Sequence, residues 1–157
     1  MRFVVVIALL FISANADAEN LKGTKALTIA ALNDTEGIEQ CGLNLLGMMK
    51  AFKLPVRAYT TLSLAVPPKV GPVLEAQIAT TTLKSGQQCA VAIRIDVTQL
   101  GEVQLMQNDH STWESIPLWR FNAIVLAGRD RMESRVENML EDAGKSFASE
   151  WLEENKP

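Results

Sequence analysis

Apolar and polar positions along this 157-residue chain change period several times, and each change predicts an element. Phe3 to Ile12 is an unbroken apolar run behind Met1 and Arg2, with Ala16-Asp17-Ala18 after it. Lys25 to Leu32 alternates, with Leu27, Ile29 and Ala31 on one side of an expected strand. Asn33 to Gly37 has turn chemistry, and from Ile38 to Lys53 the positions Leu45 or Leu46, Met49 and Phe52 follow helical spacing. Asn44 is a suitable N-cap for a shorter version of this helix, Gly42 and Gly47 weaken it, and Pro55 is expected to end it.

The middle of the chain reads as β. Tyr59 to Val66 alternates, and Pro67, Pro68, Gly71 and Pro72 make a rigid connection. Val73 to Leu83 and Gln88 to Leu105 are the clearest strands, joined through Lys84 to Gln87 as a hairpin. In the second, Cys89, Val91, Ile93, Ile95 and Val97 share one face, opposite Ala92, Arg94, Asp96 and Thr98. That alternation predicts one buried and one wet face, with a bulge or bend at Gly101. Asn108 to Ser111 reads as a turn, and Thr112 to Val125 as a strand whose Pro117 suits an edge or a kink.

The last element has the strongest pattern. From Arg129 or Asp130 to Glu154, apolar residues recur at Met132, Val136, Met139, Leu140, Ala143, Phe147, Trp151 and Leu152, with charges opposite. Asp130 is placed to cap it. The order β-α-β-β-β-β-α predicts an α+β two-layer sandwich, a mainly antiparallel sheet with two helices on one face.

The first eighteen residues have the order of a secretory signal peptide, and their apolar run is too short to span a bilayer. The expected organisation is a leader over residues 1–18 and one α+β domain over residues 19–157, periplasmic or secreted after cleavage near Ala18. No later run is long enough for a transmembrane helix. A net charge of −3 without a basic block argues against nucleic acid, which is bound through clustered Lys and Arg. Cys41 and Cys89 are the only cysteines, and in an oxidising compartment they read first as one disulfide. Two buried free thiols are the rival reading, and a redox pair lacks the Cys-x-x-Cys spacing. A bridge would close a loop of roughly fifty residues, which the chain-entropy model values at about 4 kcal/mol.

Reactive chemistry is thin. His110 is the only histidine, and Asp109-His110-Ser111 is the one arrangement that suggests a small hydrolase, with Ser111 or Ser115 as nucleophile. No G-x-S-x-G surrounds a serine, and triads depend on spatial roles, so a solvated turn is the simpler reading. Asp34 with Glu36, and Glu153 with Glu154, fit a polar turn and a helix end. One histidine and two distant cysteines cannot complete a zinc site by themselves. The helical spacing of Met48, Met49, Met132 and Met139 suits core filling better than copper ligation. Neither a metal nor a cofactor is expected. Trp113, Trp119 and Phe121 concentrate aromatic surface on one strand, either as core or as an interaction surface.

Cys41-Gly42-Leu43, Leu54-Pro55-Val56, the strand from Cys89 to Gln99 and the ending Phe147 to Asn155 carry a resemblance. The chain resembles a group of small exported bacterial proteins that run strand, Cys-Gly-Leu helix, hairpin and terminal amphipathic helix. More distantly its order is similar to small α+β modules that assist transport and assembly in the bacterial periplasm. The resemblance implies export and a fold, and brings no activity, cofactor or site residue with it. The expectation is a non-catalytic binding or accessory protein of the bacterial envelope, with an envelope or secreted protein as partner. A hydrolase at the Asp109-His110-Ser111 turn, or a secreted effector or inhibitor, is the alternative.

Overall fold

The computed structural model of the chain describes residues 21–33, 35–65, 71–83, 86–104 and 111–156. The leader pattern, Pro67, Pro68, Asp109 and His110 therefore lie outside the described residues. The elements are β1 (Ala26–Asn33), α1 (Thr35–Gln40), α2 (Leu45–Tyr59), β2 (Ser63–Ala65), β3 (Val73–Leu83), β4 (Gln88–Gln104), β5 (Ser111–Gly128) and α3 (Arg129–Glu154). They form an α+β two-layer sandwich around a five-stranded, mostly antiparallel sheet of order β2-β1-β3-β4-β5. β3, β4 and β5 form an antiparallel meander, whereas β1 pairs in parallel with both β2 and β3.

The expected Ile38–Lys53 helix is two helices, and the Cys-Gly-Leu stretch is the reason. The Leu43 N–H donates to the Ile38 carbonyl at 3.0 Å and the Gly42 N–H to the Glu39 carbonyl at 3.0 Å. Gly42 has φ 67°. These bonds and that left-handed glycine are a Schellman stop, which satisfies the last carbonyls of α1. One residue later Asn44 starts α2, its side chain accepting from the Leu46 and Gly47 N–H groups at 3.0 and 3.4 Å.

Pro55 does not end α2, which continues to Tyr59, so the strand expected from Tyr59 shortens to Ser63–Ala65. An internal proline costs about 3 kcal/mol through its missing N–H and its ring. Here the ring is itself buried and Val56 beside it is fully enclosed. Packing of that turn against α3 offsets the cost. The contact is close: a Cβ added at Gly144 would lie 2.5 Å from the Phe52 carbonyl oxygen and 2.7 Å from Pro55 Cγ.

The alternating face of β4 is the centre of the core, with Cys89, Val91, Ile93, Ile95 and Val97 all buried. Against it lie Met132, Val136, Leu140 and Phe147 of α3 and Met48 and Phe52 of α2. The α3 stripe faces inward as the spacing predicts, except that Leu152 is exposed. Its N-cap is Gly128, without a side-chain cap bond, and Asp130 sits in the first turn instead. Cys41, just after α1, is bonded to Cys89 with 5.8 Å between Cα atoms, so the α1–α2 junction is tied to β4.

A clasp joins the two ends of the described chain. Trp151 Nε1 donates to the Thr24 carbonyl at 2.9 Å, and Asn155 Oδ1 accepts from the Gly23 N–H at 2.8 Å. Asn155 Nδ2 also reaches the Leu21 carbonyl at 3.2 Å. Leu21 itself is buried.

Candidate functional site

The described helices cover one face of the sheet, and no described element covers the other. Strand alternation puts Glu75, Gln77 and Ala79 of β3, Ala90 to Asp96 at even positions of β4, and Arg120 to Leu126 at even positions of β5 on that face. Its middle row runs Glu75, Asp96, Arg120 across three strands. Two carboxylates directly opposite repel, and two guanidiniums answer them. Arg94 Nε and Arg120 Nε each donate to a different oxygen of Asp96, both at 2.5 Å. Asp96 is thereby buried at 6% exposure on an otherwise open face, while both arginine side chains stay half-exposed. This network holds two guanidiniums flat on the sheet.

On one side of that row, past Gln77, Arg94 and Asn122, the surface is apolar. Ala92 faces Ile124, and Ala90 faces Leu126. Ile124 is 74% exposed and Leu126 63%. On the other side β4 and β5 outrun β3, whose first residue Val73 pairs with Thr98. The pairs from Gln99 and Ile116 out to Gln104 and Ser111 form a two-stranded arm. No described strand pairs with the arm's other edge. Leu100, opposite Ser115, and Trp113, opposite Glu102, share one side of it two rungs apart, and Trp113 is 67% exposed.

Where the arm leaves the sheet, β5 carries one extra residue. Val97 pairs with Trp119 and Thr98 with Pro117, so Leu118 is the bulge. Pro117 therefore sits beside a bulge on an edge strand, the two settings that tolerate its missing N–H. The bulge expected at Gly101 is absent, because Gly101 pairs regularly with Glu114. Its missing side chain makes room for Ile116, whose Cδ1 a Cβ there would strike.

The three aromatic residues singled out from the sequence occupy three environments. Trp119 is core, edge-on to Phe147 with 5.2 Å between ring centroids, and 6.5 Å from Phe52. Phe121 is half-buried and stacks on Trp119 at 6.3 Å with planes 7° apart. Trp113 stands out on the arm. The bulge separates it from the other two, because one extra residue shifts the inward and outward alternation. Ser115 is exposed on the arm, and the backbone of Ser111 begins β5. Among the described residues, no three His, Cys, Asp or Glu side chains gather in a way that would hold a metal ion. Also among them, no helix is long and apolar enough to cross a membrane. Sequence reading missed Leu100, Ile124 and Leu126 as surface groups. Period two was the available signal, since it places all three opposite the Cys89 face.

No family model and no curated protein matches the chain. Among solved structures it is similar to a PelC dodecamer from Paraburkholderia phytofirmans, with TM-score 0.41 and 13% identity over 86% of this chain and 89% of that one. It is also similar to a minor lipoprotein from Acinetobacter baumannii, with TM-score 0.34 and 15% identity over 82% of this chain and 90% of that one. Both scores are low, and neither likeness bears on what this chain does.

Proposed function

We propose that this chain is a non-catalytic binding or accessory domain of the bacterial envelope, periplasmic or secreted, which holds a protein partner on the open sheet face and its arm. Trp113 carries the reading. A tryptophan two-thirds exposed on a paired, projecting ribbon has no packing role that accounts for it. Such residues dominate binding energy when a partner covers them. Leu100 beside it, and Ile124 with Leu126 beyond the arginine row, extend the apolar area. The Arg94 and Arg120 guanidiniums between these patches would meet carboxylates or carbonyls of the partner. Export is supported by the leader pattern and by the Cys41–Cys89 disulfide, which persists in an oxidising compartment.

The test is capture from envelope extracts by the chain from Glu19 onward, beside a Trp113→Ala variant. The variant should keep its melting temperature and bind the captured protein at least about tenfold more weakly, the scale of a central tryptophan. A variant that melts normally and captures equally well removes the arm from the interface.

A further inference from the structure

We propose that the outer side of α2 docks onto an anionic phospholipid bilayer, with the helix lying in the plane of the headgroups. The chain is acidic overall at −3, yet α2 carries Lys50, Lys53 and Arg57 and no acidic residue. Steps of three and four place these cations on one side of the helix together with Leu46 and Leu54. Leu46 is 77% exposed, Leu54 55% and Tyr59, at the helix end, 58%. The inner side is already used: Met48, Phe52 and Val56 enter the core, and Gly47 and Pro55 lie against α3.

The combination is selective for one kind of partner. Cations alone on a solvated helix would need no explanation, nor would single exposed leucines. Exposed leucines interleaved with cations are the composition of helices that bury an apolar ridge at the acyl boundary while Lys and Arg meet anionic headgroups. The exposed positions of α3 carry both signs, Glu133, Glu141, Asp142 and Glu150 together with Arg131, Arg135 and Lys145, whereas the charges of α2 are all positive. Lys53 enters no ion pair among the described residues, so its charge is available to a headgroup.

A second observation extends the same side. A shallow apolar cleft opens between α2 and the sheet, lined by Ile29, Leu45, Met49, Leu74 and Ile78 with Lys53 as its one charged residue. Methionine walls adapt to irregular chains. The cleft continues the apolar surface of this side next to a cation.

The experiment is co-flotation of the chain from Glu19 onward, which keeps every described element, with two vesicle types. One is pure phosphatidylcholine and the other mixes phosphatidylcholine with phosphatidylglycerol. Binding is expected to the mixed vesicles and not to the neutral ones, and to weaken as salt is raised. Lys50→Gln, Lys53→Gln and Arg57→Gln together should lower partitioning about tenfold or more, at roughly one headgroup contact per cation. Leu46→Ser with Leu54→Ser should lower it with the charges intact. Lys22→Gln, Arg131→Gln and Arg135→Gln together remove the same charge from exposed sites elsewhere and should change little. Circular dichroism confirms that each variant is folded. Equal binding to neutral vesicles, equal loss in the second triple variant, or no binding to mixed vesicles each overturns the proposal. So does tighter binding to dispersed short-chain phosphatidylglycerol than to vesicles, because the ligand would then be a free lipid and not a surface. None of these results depends on the arm, so failure here leaves the Trp113 reading standing.

Discussion

Replacing Gly144 by alanine sets two effects of opposite sign against each other. In an isolated helix the change is favourable by about 1 kcal/mol, because alanine restricts the unfolded chain and suits the helix. In α3 the new methyl would sit 2.5 Å from the Phe52 carbonyl oxygen, 3.3 Å from the Phe52 carbonyl carbon and 2.7 Å from Pro55 Cγ. Comfortable heavy-atom contact lies near 3.5 Å, so α2 must withdraw by roughly 1 Å. Two of the three atoms are backbone and the third belongs to a proline ring, so no flexible tip can swing aside. Forcing an extra carbon into a packed core costs about 1–3 kcal/mol and sometimes more. Moving α2 also disturbs Phe52, which meets Trp119 and Phe147. The contact effect wins, for a net loss of about 1–2 kcal/mol. For a domain of this size that lowers the melting temperature by about 2–8 °C. Urea denaturation followed by circular dichroism, with the disulfide intact, measures it. Ser149→Ala, on the exposed side of the same helix, should be nearly neutral. A Gly144→Ala protein that melts higher than the parent would falsify the close approach of α2 and α3.

Three further outcomes are expected. Trp119→Ala should cost about 3–5 kcal/mol, the range for emptying a large aromatic site, and a change below about 1 kcal/mol would mean that its cluster is not core. Cys41→Ala with Cys89→Ala should destabilise by about 2–5 kcal/mol, since the bridge spans 48 positions; a reductant should lower the melting point of the parent chain and leave the double variant unchanged. Asp96→Asn should cost about 1–2 kcal/mol, held to that by the half-exposure of both arginines, and less at high salt. An Asp96→Asn protein with the same stability at low and high salt as the parent would remove the charge network from the account.

Much of the sheet was legible because its strands alternate strictly. β3 has the limits that the pattern predicts, and β4 and α3 differ from theirs by a residue at most. The misreadings arise where one local signal has two physical meanings. Gly42 reads as a weak helix position until the Leu43 to Ile38 hydrogen bond identifies it as a stop. Pro55 reads as a terminator because its cost is local, while the α3 surface that offsets it is about ninety residues away. The parallel pairing of β1 leaves no mark on β1 itself. Gly101 and Leu118 exchanged roles as bulge because a bulge belongs to a pair of strands and only one of them can be read at a time. On the open face the residues were assigned to the correct side of β4, yet alternation alone could not show that no described helix covers it. The separation of Trp113 from Trp119 and Phe121 depends on the same unread bulge.

The clasp between Leu21–Thr24 and Trp151–Asn155 has a consequence for how the chain matures. Partners more than a hundred positions apart meet only after the final turn of α3 has been released from whatever machine delivers it. Until then the hydrogen bonds that Trp151 and Asn155 make to Leu21, Gly23 and Thr24 are unmade. Shortening α3 from Trp151 onward would then loosen the first segment as much as the final one, and protease sensitivity would appear at both places together.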